Sequence, residues 1–349
     1  MTKQTWTAAV SALLFVVAAA IVAMTPVPFV TYSAGATHEL LGEVDGQPVI
    51  SVEGLDTYES VGRVLMTTVS ITRSDAPVSL PEVLYAHWAP DREVYPRDYV
   101  YPPSSGVAEI SAREAQQMAT SQADAAAAAL RAAGIAVEQV PMVQSVASTG
   151  PANEKIFPGD FVLAVDGVPT PTVADVREAV ESRAIGESIT FMVRRDREER
   201  AVTFDTASSK TQDGLPVWGG NLVMGYSYAP RVHINLDPGL GGPSAGLMLA
   251  LAVFESITPD DVSGERVLAG TGAIDGAGTV SQVGGIREKL AGAERAGADI
   301  FFVPDSNCSD LAGVESSVRI VSVGTLEDAI ASLDLLNDPA TEQLVRGCA

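Results

Sequence analysis

Gly241-Gly242-Pro243-Ser244-Ala245-Gly246-Leu247-Met248-Leu249-Ala250-Leu251, read together with Gly284-Gly285-Ile286-Arg287-Glu288-Lys289-Leu290 downstream, decides how this chain is understood. Residues 242–246 satisfy G-x-S-x-G, which sets a serine at a sharp entry to a helix, where the N–H groups of Ser244 and Ala245 could hold an oxyanion. The usual owner of that pattern, an α/β-hydrolase, needs an acid and then a histidine after the serine. The three histidines, His38, His87 and His233, all precede Ser244. A His-Asp-Ser order, with His87 and Asp91, would call for two all-β barrels, whereas Ser244 opens an apolar helical run (Leu247, Leu249, Leu251, Val253). The remaining common base is a lysine.

Lysine is scarce here, with 4 residues (Lys3, Lys155, Lys210, Lys289) against 18 arginines. A lysine acts as a base only when neutral, so its pKa must fall from about 10.4 toward 7–8, at a cost of roughly 3–4 kcal/mol. Burial without a carboxylate partner would do this. On a helix, Lys289 has Gly285, Ile286, Gly292 and Ala293 as neighbours three and four residues away, none acidic, and Glu288 falls on another face. Lys155 and Lys210 lie in polar loops, which leaves Lys289 as the candidate base. The plainer readings are Ser244 as a helix N-cap and Lys289 as a surface lysine; the co-occurrence of both motifs weighs against them.

Around this site, the composition narrows the function further. The 349 residues suggest two or three folded units. A net charge of −22 argues against nucleic-acid or anionic-surface binding. With two cysteines and no clustered His/Glu spacing, neither a zinc module nor metal catalysis is indicated, and no cofactor is expected. Trp6 to Met24 is apolar except for Thr7 and Ser11, and as a helix would span about 28 Å, close to the hydrocarbon thickness of a bilayer. Lys3 before it and Glu39, Glu43 and Asp45 after it predict a single-pass anchor over residues 1–31, with the N-terminus cytoplasmic and the rest extracytoplasmic. A signal peptide cleaved at Ala34-Gly35-Ala36 is the competing reading. An oxidising compartment permits a Cys308–Cys348 disulfide, which would tie down the tail 338–349.

Along the chain, residues 47–72 alternate as strands and 89–105 read as an extended Pro/Tyr-rich connection. Ser111-Ala112-Arg113-Glu114 predicts a capping box opening an Ala-rich helix that ends at Gly134. From 135 to 206 the order is strand, Asp166-Gly167 hairpin, a helix capped by Thr172 to Asp175, and a closing hairpin across the charged turn Arg194 to Arg200. The wording FPGDFVLAVDGVPTPTVADVREAV and GESITFMVRR resembles a bacterial PDZ domain, which implies an extended peptide bound as an added strand, with its carboxylate loop within Gly134 to Val143. Strands near Asn221 to Tyr228 and Arg231 to Leu236 lead into the serine motif.

GGPSAGLMLALAVF (241–254) and LAGTGAIDGAGTVSQVGGIREKLAGAERAGADIFFVP (268–304) resemble the proteolytic domain of the Lon family. The resemblance implies Ser244 as nucleophile, Lys289 as base and Thr271 as support for the lysine. Gly241 departs from the family, which usually carries an acidic residue there, and no G-x-x-x-x-G-K-[ST] occurs, so no ATPase is implied. With the anchor, the arrangement resembles membrane-anchored, PDZ-containing Lon-like proteases of Gram-positive bacteria. The expected fold is α+β: a transmembrane helix, then a Lon-type mixed α/β body (38–134 and 215–337) with the PDZ domain (135–206) inserted. Protein or peptide substrates are implied, and by family analogy a hexamer. A catalytically silent PDZ adaptor, and a signal-peptidase-like enzyme with its serine just after the anchor, are the alternatives.

Overall fold

The structure, a computed structural model, describes residues 3–44, 46–73, 75–102, 106–209, 214–237 and 239–348. Lys210 lies outside the described residues. The chain divides into two compact units, one made of Met1–Gly134 with Pro230–Ala349, the other of Ile135–Ala229.

The first unit is built on a six-stranded sheet in the order Arg319–Val323, Ile300–Pro304, Val267–Gly270, Arg63–Ile71, Phe29–Glu39, Arg92–Pro96. The first four run parallel and the last two pair antiparallel. Ile300–Pro304 is buried at every position, as a strand covered on both faces must be. The helix Ile286–Arg295 packs on this sheet through Ile286, Leu290 and Ala293 against Leu65, Ala269 and Phe301. The helix Gly246–Ile257 is apolar on every face as far as Phe254 and correspondingly buried, with Glu255 enclosed near its end.

Three expectations change, and the tying down of the tail holds. The long helix runs Val107–Ala132 with Gly106 as N-cap, so Ser111 sits inside it and the capping box does not form. The residues ahead of Ser111 are helix-compatible, and a cap motif worth about 1 kcal/mol does not stop a helix that packing extends. Gly134, at φ +75°, follows its end as expected. The N-terminal helix ends at Met24 rather than near 31, and the first unit begins before 38, because Phe29–Glu39 is an inner strand of the sheet. A Cβ on Gly35 would stand 2.3 Å from Thr68 Oγ1, so Ala34-Gly35-Ala36 is packed within that sheet. Residues 89–105 hold the edge strand Arg92–Pro96 and the short helix Arg97–Val100, preceded by a helix, Leu80–Trp88. The tail 338–349 is tied back: the Ser322 N–H donates to the Arg346 carbonyl (3.0 Å), Arg346 pairs with Asp305 (3.1 Å), and Cys308 and Cys348 form a disulfide.

The second unit is an antiparallel sheet in the order Glu198–Asp205, Ser188–Arg195, Phe161–Val165, Glu138–Val146, Gly220–Ser227, with the helix Val173–Glu181 against its core. Thr172 and Asp175 form the expected capping box. Asp166-Gly167 makes the expected hairpin, with both residues at positive φ. The second hairpin is tighter than expected, turning at Asp196-Arg197 (φ 51° and 69°), since a two-residue left-handed turn matches strand twist. The expected boundaries at 206 and 215 do not follow the pairing: Gly220–Ser227 hydrogen-bonds along Glu138–Val146 and is a strand of this unit.

Candidate active site

Ser244 lies at the end of a turn held from two sides. Gly242 adopts φ +84°, which glycine takes without steric cost. The long helix Val107–Ala132 fixes this turn: the Gly242 N–H donates to the Glu114 carbonyl (3.2 Å), and buried Ser121 Oγ donates to the Pro243 carbonyl (3.1 Å). From the sheet side, the Ser244 carbonyl accepts from the Gly272 N–H (2.9 Å) and from Thr271 Oγ1 (3.0 Å), while the Leu247 N–H donates to the Gly272 carbonyl (3.0 Å). Gly246 donates to Pro243 (3.3 Å). The amides of Gly246 and Leu247 are thus engaged, so the donors a bound oxyanion could use at this helix entry are Ser244 and Ala245. Ser244 itself is half-buried. Glu114 was read from the sequence only as a capping-box residue and Ser121 was not singled out, because nothing local marks a helix residue that will support a turn over a hundred positions away.

Lys289 comes from the helix that begins after Gly285. That glycine has φ +71°, and a Cβ on it would stand 2.5 Å from Val69 Cγ1, so the helix approaches the sheet closely only with glycine there. Lys289 is 2% exposed, and its Nζ donates to Thr271 Oγ1 at 3.0 Å. Thr271 is fully buried just past the strand Val267–Gly270, and it links the amine to the main chain of Ser244. Among the described residues no hydrogen bond joins Ser244 Oγ to Lys289 Nζ directly. Burial brings the Lys289 amine down to about 8. Near that pH the amine is neutral in a large fraction of molecules and can accept a proton.

The expectation that no carboxylate bears on Lys289 is corrected. Glu288 is fully buried, neither of its oxygens has a hydrogen-bond partner among the described residues, and burial, reinforced by Glu93 and Asp91, pushes its carboxyl up to about 7. When ionised it raises the Lys289 pKa, against the larger effect of burial. Adjacent helix positions point apart, yet this helix is clamped closely enough to the sheet for both side chains to be enclosed.

Gly241 also finds a physical reason. A Cβ there would lie 2.8 Å from Glu114 Cβ and 3.5 Å from Glu114 Oε2, so this chain has a carboxylate from the long helix beside the position where the Lon family carries its own. Gly241→Asp is therefore expected to lower stability by about 1–3 kcal/mol through overpacking, rather than to improve the site. Denaturant unfolding and peptide hydrolysis of the variant check this; a faster enzyme of unchanged stability would contradict it.

The other sequence candidates are not drawn into this network. Lys155 donates to the Thr203 carbonyl (3.0 Å) in the second unit, and Asp91 pairs with Arg295 (3.0 Å). The second unit carries a groove of about 600 Å³, lined on one side by Val173, Arg177 and Val180 and on the other by Trp218, Gly219, Gly220 and Leu222. It is not lined by Gly134 to Val143, where the ligand loop was expected, because the strand that borders it, Gly220–Ser227, comes from the far end of the unit. Among the described residues that strand pairs on one side only.

Comparison with known proteins places these features. Residues 227–333 match the family described as the Lon protease (S16) C-terminal proteolytic domain, and residues 120–206 match the PDZ domain family. Lon protease 1 of Sorangium cellulosum is 39% identical over 107 residues, 29% of this chain and 13% of that protein. The Lon protease of Clostridium beijerinckii is 35% identical over 120 residues, 32% of this chain and 15% of that protein. Among solved structures, the PDZ domain of an SdrC-like protein from Listeria monocytogenes aligns with 24% of this chain and 87% of its own, at 20% identity and a TM-score of 0.23.

Proposed function

We propose, from the Lon-type proteolytic domain and the PDZ domain that this chain carries, that the protein is an ATP-independent serine endopeptidase with a Ser244–Lys289 dyad. The observation that carries the reading is the buried Lys289 amine, joined through Thr271 Oγ1 to the main chain of Ser244. Neutral Lys289 takes the proton from Ser244 Oγ as that oxygen bonds to the scissile carbonyl carbon. The Ser244 and Ala245 amides stabilise the oxyanion. Collapse breaks the C–N bond, and the leaving amine takes the proton from Lys289. Lys289 then deprotonates the water that hydrolyses the acyl ester. Thr271 accepts from the amine and holds it in place.

The PDZ domain binds extended polypeptide along the free edge of Gly220–Ser227, in the groove between that strand and the helix Val173–Glu181. The helix Lys3–Met24, long and apolar enough to cross a membrane, anchors the chain, with the N-terminus inside and the substrates outside the cytoplasm. Retention of the anchor is supported by the strand Phe29–Glu39, since a cut within 34–36 would divide an inner strand. Independence from ATP is supported by the lack of a phosphate-binding G-x-x-x-x-G-K-[ST] in these 349 residues.

A serine-directed probe is expected to acylate Ser244 in the wild type and not in Ser244→Ala, and peptide cleavage should vanish with the label. The silent-adaptor alternative requires a wild type that takes up no label at Ser244.

A further inference from the structure

The helix Leu80–Trp88 leaves its large apolar side chains uncovered. Leu84, Tyr85 and Trp88 are 41%, 61% and 75% exposed, whereas Ala86 is buried. Positions 84, 85 and 88 fall within about 100° of one another on a helix, so they form one stripe. Tyr99, on the short helix Arg97–Val100, is 77% exposed. The Arg92 guanidinium lies over the Tyr85 ring, 5.1 Å from its centroid, and adds a cation beside the stripe. Side chains of this size are normally covered in a water-soluble domain when they cluster.

What covers them is indicated by the connectivity. The anchor helix ends at Met24, and Pro26–Val27 pairs at once with Val78–Ser79 (Pro26 opposite Ser79, Val27 opposite Val78). Ser79 is the N-cap of Leu80–Trp88. Paired strands lie about 4.8 Å apart, so the uncovered helix begins within a few ångströms of the point where the chain leaves the anchor, and the two helices touch. Tryptophan and tyrosine favour the boundary between headgroups and acyl chains, with the ring body in the apolar side and the polar edge in the wet side. Arginine beside them suits lipid phosphate.

We propose that Leu80–Trp88 lies in the membrane interface beside the anchor, with Leu84, Tyr85 and Trp88 inserted at headgroup depth, joined by Tyr99. This rests on the proposed membrane anchor. The surface fixes the first unit against the bilayer by a second contact, so that the domain does not swivel freely on a single helix.

The chain has three tryptophans, Trp6 in the anchor helix, Trp88 in the stripe and Trp218 buried in the second unit, which makes the test direct. The full-length protein is reconstituted into vesicles of phosphatidylcholine and phosphatidylglycerol, with and without bromine near the carbonyl end of the acyl chains. In Trp6→Phe, the emission of Trp88, read against a Trp6→Phe/Trp88→Phe baseline, should fall about twofold with brominated lipid. Trp88→Phe reports on Trp6 in the same vesicles. If Trp6 is quenched and Trp88 is not, the interfacial helix is wrong and the anchor stands. If Trp6 is not quenched, the anchor reading fails and takes this proposal with it. An unquenched Trp88 whose emission shifts to the blue with protein concentration would assign the stripe to a second copy of the chain and overturn the proposal.

Discussion

Lys289→Met is expected to lower peptide hydrolysis by about 10⁴-fold or more and, at the same time, to make the folded protein more stable at neutral pH. On the proposed mechanism, the loss follows from removing the group assigned to take the Ser244 proton, because a dyad acts as a unit. The gain follows from burial. Burial brings the folded amine down to about 8 from the ordinary lysine value of 10.5 that the unfolded chain keeps. Below pH 8 it is charged in both states, and the folded state bears the full cost of holding that charge out of water, about 3 kcal/mol. As pH rises from 8 to 10.5 the unfolded chain keeps its proton while the folded one has lost it, so the cost shrinks, and above 10.5 it is gone. A neutral methionine of similar length bears no such cost, so the stabilisation should be largest at pH 7 and vanish near pH 11. Hydrogen exchange of the Ile286–Arg295 amides at the two pH values measures it within this unit. The same titration makes wild-type hydrolysis rise with pH through about 8. A Lys289→Met protein no more stable than wild type at pH 7 would mean that the amine is hydrated, and the base assignment would fall.

Opening the Cys308–Cys348 disulfide should cost up to about 4 kcal/mol. The bond closes a loop of 40 residues in the unfolded chain, and loop-closure entropy of that length gives this magnitude at 25 °C. In the folded state Cys348 packs against the core under the lysine helix, and the tail is further held by Arg346 on Asp305 and by Arg319 on Glu342. Those ion pairs are largely exposed and worth little singly. Reductant, or Cys348→Ser, should therefore lower the denaturant midpoint of the first unit, with equal effects from both treatments. A shift of under about 1 kcal/mol would show that the tail is held without the covalent link.

Features written in neighbouring residues were readable in advance. The apolar N-terminal helix, the Asp166-Gly167 turn, the Thr172–Asp175 capping box and the apolar serine helix each depend on side chains within a few positions of one another, where periodicity and turn chemistry act. Ser244 and Lys289 were singled out from local motifs, and Thr271 from the resemblance to the Lon family. Their linkage, with Thr271 Oγ1 between the amine and the Ser244 carbonyl, was readable in neither.

Several of the misread features are matters of partnership. Gly220–Ser227 reads as a strand in either unit, and it joins Glu138–Val146 because that edge accepts its hydrogen bonds and groups its neighbour Trp218 with Phe191 and Phe204. Phe29–Glu39 looked like the trailing end of an anchor until Arg63–Ile71 and Arg92–Pro96 were found on its two sides. Glu288 has the sequence context of a surface residue, and is buried because Gly285 lets its helix settle onto Val69. By itself the sequence determined many of the helices, strands and turns and singled out a few side chains that could do chemistry, since those preferences are short-range. Only the tertiary structure decided which strands pair, which charges lose their water and what stands beside Ser244, because burial and strand pairing are set by residues far away along the chain.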